Sequence, residues 1–118
     1  MWVIQIDEKQ RIVQEFVPGK QVTLAHIIAS PTTSLYAKLG LVEARGAIGI
    51  FTITPGEGAM IAADIASKAA DISIGFVDRF SGSLLITGDV ASVEASIIDV
   101  MDTLCKEMGF TPTTISRT

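Results

Sequence analysis

The chain predicts an α+β fold, with helices stacked on one face of a mixed, mainly antiparallel sheet. Three observations carry that expectation. Asp71–Asp89, DISIGFVDRFSGSLLITGD, reads as strand, tight polar turn, strand and helix cap. Ile72, Ile74 and Phe76 alternate with Ser73, Gly75 and Val77, and Leu84, Leu85 and Ile86 resume beyond the turn, a period of two that suits a hairpin. Two longer stretches carry apolar residues at helical spacing, each behind a cap signal. Before them lie short apolar runs too brief for helices and rich in β-branched residues.

Taken in order, residues 1–10 open apolar at Trp2, Val3, Ile4 and Ile6 and turn polar at Asp7-Glu8-Lys9-Gln10. Arg11–Val17 is a short strand with Ile12, Gln14 and Phe16 on one face and Val13, Glu15 and Val17 on the other. Neither face is apolar throughout, so this strand suits an edge or pairing with another chain. Val22–Ala29, VTLAHIIA, reads as a strand buried on both faces. A short helix follows, with Ser30 as N-cap, Pro31 in its first turn, Leu35, Tyr36 and Leu39 inward, and Gly40 closing it.

Ala47–Ile53 is the next strand. Thr54-Pro55-Gly56-Glu57 then has the form of a capping box opening a small-sided helix, Pro55–Ala70, rich in alanine. After the hairpin, Asp89 caps a helix running to about Met108, with Gly109 beyond it. Its stripe is Val93, Ile97, Val100, Met101, Leu104 and Met108. The tail FTPTTISRT suits one last exposed strand.

Composition excludes several functions. The 118 residues are one domain by length. The formal charge is −4 and no Lys/Arg cluster offers a footprint for nucleic acid. No run approaches the ~20 apolar residues of a membrane span, and the N-terminus lacks the form of a signal peptide. The single Cys105 rules out an internal disulfide and fits a reducing cytosol. Yet 48% of residues are apolar, more than a small monomer readily buries, so burial between subunits is expected.

Catalytic constellations are scarce. His26 sits inside an apolar strand without a carboxylate or thiol partner at useful spacing, and reads as structural or as a subunit contact. Cys105 lies among apolar neighbours, whereas a nucleophilic thiol needs a cationic site. One His and one Cys make a poor metal set, and no cofactor is expected. Thr54–Gly58 opens a helix as phosphate-binding turns do, but it lacks the P-loop Lys, and Glu57 would repel a phosphate. Asp78-Arg79 reads as a surface ion pair sooner than a catalytic one.

The runs EFVPGKQVTLAHIIASP and GAIGIFTITPGEGAMIAADIASKAADISIGFVDRFSGSLLITGDVASVEA resemble the bacterial microcompartment (BMC) shell protein family. They are most similar to the circularly permuted branch of ethanolamine- and propanediol-utilisation compartments. In the ordinary arrangement the segment like AIGIFTITPG comes first and the one like VTLAHIIASP last; here the order is reversed. The resemblance implies residues 1–19 as an N-terminal extension and 20–118 as a permuted BMC domain. It implies a cytoplasmic, non-enzymatic homohexamer that tiles with other shell proteins and meets encapsulated enzymes. By the same resemblance, Arg79, Phe80, Ser81, Gly82 and Ser83 line the pore. Ile12, Val13, Gln14, Glu15, Phe16 and Val17 form an intersubunit barrel over it. Lys68 packs at the inter-hexamer edge, and Gly46 is a candidate hinge for a bent hexamer. The family's basic edge motif is replaced by Ser30-Pro31-Thr32-Thr33. The rival reading is a small-molecule-binding regulatory domain with its effector site at residues 54–58.

Overall fold

A computed structural model describes residues 19–41 and 46–118. The elements are β1 (Gln21–Ile28), α1 (Thr33–Lys38), β2 (Ala47–Thr54), α2 (Gly58–Ala69), β3 (Ser73–Asp78), β4 (Ser83–Gly88), α3 (Val90–Asp102) and β5 (Ser116–Arg117). A π-helical turn, Thr103–Glu107, continues α3. The strand order is β3-β4-β2-β1-β5, antiparallel throughout except for the β1–β5 pair.

The two long helices cover one face of this sheet. Ala62, Ala63 and Ala66 of α2 and Val93, Ile97, Val100 and Met101 of α3 meet Val22, Ala25, Ile27, Phe51, Ile53, Leu84 and Ile86. Alanines on α2 let it lie close, and buried Ser96 of α3 donates to the Ala66 carbonyl at 3.2 Å. The short α1 lies on the opposite face, where Tyr36 packs with Ile48 and Leu85. The helices therefore do not all stack on one face as expected: α1 covers the second face, and β2 and β4 are buried on both faces in consequence.

Several local expectations are corrected. The N-cap of α1 is Thr32, whose Oγ1 accepts from the Leu35 N–H at 3.2 Å; Ser30 and Pro31 precede the helix and Leu39 is exposed. Gly40, at φ +76°, follows the C-cap in a Schellman pattern: its N–H donates to Ala37 and that of Leu41 to Tyr36. Strand β1 is not buried on both faces, because Thr23 and Leu24 face solvent beside a bulge between Val22 and Leu24. The alternation in β3 breaks at a second irregularity between Ile74 and Phe76, leaving Ile74, Phe76 and Val77 each about 40% exposed.

The capping box at 54–57 does not form. The Thr54–Pro55 peptide is cis, α2 begins only at Gly58, and Glu57 makes no side-chain cap. The Asp89 cap does form: its carboxylate accepts from the Ser92 N–H at 2.9 Å and from the Ser92 hydroxyl. Residues 1–18, including the barrel-strand positions Ile12–Val17, lie outside the described part of the chain.

Candidate functional site: the hairpin loop and its support

The turn between β3 and β4 is organised by Asp78. One carboxylate oxygen accepts from the Phe80 N–H at 2.9 Å and, more weakly, from the Ser81 N–H at 3.4 Å. The Gly82 N–H returns to the Asp78 carbonyl at 2.8 Å. Ser81 and Ser83 share a hydroxyl bond at 3.0 Å. These donors, the Phe80 amide first and then Ser81, hold the Asp78 carboxyl below its ordinary pKa. Asp78 and Arg79 are thus not an ion pair. The carboxylate is used inside the loop, and the Arg79 guanidinium lies over the Phe80 ring, 4.8 Å from its centroid.

Phe80 itself is 85% exposed, the most exposed large hydrophobic residue of the described chain. A residue of that kind gains nothing by facing water, whereas its backbone is firmly held. Met60 of α2, Val77, Asp78, Arg79 and Phe80 line one open groove beside the loop.

The loop is supported from below by the 54–58 turn. Gly82 stands at φ +78°, and its carbonyl accepts from the Ile53 N–H at 2.9 Å. A Cβ on Gly82 would overlap the Ile53 carbonyl, and a Cβ on Gly56 would overlap the Arg79 carbonyl. Of the glycines of the apparent phosphate-type turn, Gly56 is therefore used in packing against the hairpin and Gly58 in packing on Ile53 and Phe110.

The other singled-out residues lie elsewhere. Lys68, on α2, pairs with Asp64 at 2.8 Å, both largely exposed. Gly46, at φ +84°, heads β2 so close to Gly88 that a Cβ would overlap the Gly88 carbonyl; the positive φ and that approach both call for glycine here. Its own carbonyl accepts from the Tyr36 hydroxyl. His26 bonds Ser116 Oγ through Nδ1 at 2.6 Å and Thr118 Oγ1 through Nε2 at 2.9 Å. Burial, with the Asp102 carboxylate second, raises the pKa of the Cys105 thiol, the reverse of what a nucleophile needs. Among the described residues no group of three metal-ligating side chains occurs.

Periodicity alone does not reveal Phe110. It lies beyond the helix, but Gly109 at φ +77° turns the chain so that Phe110 fills the core beneath Gly58. Lys20 reaches across to the Met108 carbonyl at 2.6 Å and over the Phe110 ring.

Comparison with known proteins gives this fold its class. Residues 47–117 match the BMC domain, so the chain belongs to the BMC-domain family of microcompartment shell proteins. The match begins at β2, although β1, its antiparallel partner in the sheet, precedes it in the sequence, as a permuted order requires. Among its relatives, the shell protein PduU of Salmonella typhimurium is 55% identical over 108 residues, covering 92% of this chain and 93% of that one. The shell protein EutS of Escherichia coli is 57% identical over 104 residues, covering 88% and 93%. A solved flat hexamer of the shell protein CutR superposes with TM-score 0.81 at 43% identity, over the full length of both chains.

Proposed function

We propose that this chain is a structural, non-enzymatic subunit of a bacterial microcompartment shell, assembled as a homohexamer with the 79–83 loop at its axis. The observation that carries the reading is the loop itself: its Phe80, Ser81 and Gly82 amides are bonded to Asp78 within the turn, while the Phe80 side chain is presented outward. Arg79, Phe80, Ser81, Gly82 and Ser83 would line the pore, where small residues at 81–83 allow several copies to converge. Exposed Met60 and Val77 continue this surface onto α2 and β3, and burial between copies would remove them from water.

The N-terminal extension fits the same frame. Gln21 pairs with Thr54, and Thr52 with Ser83, so β1 begins at the end of the sheet that carries the pore loop. A segment preceding Gly19 is thereby well placed to cover the pore mouth, the role proposed for barrel residues 12–17. Lys68, exposed on α2, is proposed at the edge where hexamers meet. Other shell proteins and encapsulated enzymes are the proposed partners. A regulatory effector site at 54–58 is disfavoured, because the hairpin loop occupies the space beside Gly56, and Ile53 and Phe110 occupy that beside Gly58.

Phe80→Ala tests the reading. The variant is expected to fold and melt as the parent does, while images of the assembly show an altered axis. A subunit that unfolds on this change would place Phe80 in a core and overturn the pore assignment.

A further inference from the structure

The outer edge of β1 is covered by a tail that is bonded at its two ends and weak between them. At one end the Val22 N–H donates to the Thr111 carbonyl and the Thr111 N–H to Lys20, both at 2.9 Å. At the other, the Thr118 N–H donates to Ile27 at 2.8 Å and the Ala29 N–H to Thr118 at 2.9 Å. Gln21 lies opposite Thr111 and His26 opposite Ser116, so the tail keeps one register along the strand. Yet β5 spans only Ser116–Arg117.

The bulge explains the gap. Across it, the β1 groups that face the tail change from Lys20 and Val22 to Ile27 and Ala29, even positions giving way to odd. Pro112 brings no N–H to the interrupted section. Side chains reinforce the paired end instead: beside the His26–Ser116 and Ile27–Arg117 ladder pairs, Ser116 Oγ reaches the Ala25 carbonyl at 3.4 Å, and His26 holds both Ser116 and Thr118. Arg117 adds an ion pair to Glu94 of α3. No apolar side chain of residues 111–118 is buried; the last core residue is Phe110.

We propose that residues 111–118 are a releasable strap, latched to the β1 edge by His26 through Ser116 and Thr118. Opening the strap leaves the Lys20 and Ile27 carbonyls and the Val22 and Ala29 N–H groups unpaired on an outer strand edge. The core stays closed, because Phe110 and the β2–β4 ladder do not depend on the tail.

Hydrogen–deuterium exchange on the full-length assembly tests this. In the parent, amides of Thr111, Thr118, Val22 and Ala29 should exchange at least roughly tenfold faster than those of the β2–β4 ladder. His26→Ala, and separately the milder Ser116→Ala, should accelerate Thr118 and Ala29 further while the ladder is unchanged. A tail as protected as the ladder overturns the proposal, and so does a tail indifferent to both substitutions.

Discussion

Asp78 shows how one carboxylate sets the shape of a loop. Because its pKa is lowered in the folded state, its contribution to stability is present above the ordinary Asp value of about 3.9 and is lost as the pH falls through the depressed folded value. Loop order should therefore survive mild acid and fail only below about pH 4, and Asp78→Asn should flatten that dependence, as read from the Phe80 and Ser81 amide resonances. Gly82 is constrained differently, by its positive φ and by the Ile53 carbonyl against it. Gly82→Ala should cost at least about 1–3 kcal/mol, seen as a lower unfolding midpoint, with no comparable loss in Ser81→Ala. The sequence marked this turn as unusual, but not how Asp78 is used. A neighbouring Asp and Arg look like an ion pair on paper; only the fold shows two backbone amides closer at hand.

At the level of the element, signals read along one segment proved legible and those that need a distant partner did not. The stripe of α3 was readable because burial follows helical spacing: Val93, Ile97, Val100 and Leu104 are all fully buried. Ile97→Ala should destabilise the subunit by about 2–5 kcal/mol in chemical denaturation, whereas Ile98→Ala, at a 54% exposed position, should be near neutral. The capping box at Thr54 had the right residues and still failed. Its turn is shaped by the hairpin loop packed on Gly56, some 25 residues away. The bulge in β1 was hidden, since no local residue announces it, whereas that in β3 has a local mark in Gly75, and the buried Phe110 depends on the reversal at Gly109.

For the whole molecule, the sheet explains how permutation is tolerated. Strand β1 keeps its place beside β2 whichever end of the chain supplies it, so only the connections differ. The architecture was legible from the hairpin, the alanine-rich helix and the family resemblance; the placement of α1 on the opposite face was not, because six residues carry too little periodicity. Lys68 belongs to this scale. Its pair with Asp64 is exposed and contributes little to the fold. Lys68→Ala should leave the hexamer intact by light scattering and reduce the sheets or tubes seen by electron microscopy; undiminished tiling would remove Lys68 from the edge.

The interlock of Gly56 with Arg79, and of Gly82 with Ile53, has a bearing on how such a ring could diversify. The tip of the hairpin and the hinge-like corner after β2 are fitted to one another with no room for even a methyl group. Bulk introduced at Gly82 itself must be matched by retreat at 53–56, so these two places should drift as a unit. The outward-facing side chains of Arg79, Phe80 and Ser81, by contrast, can change without disturbing that fit.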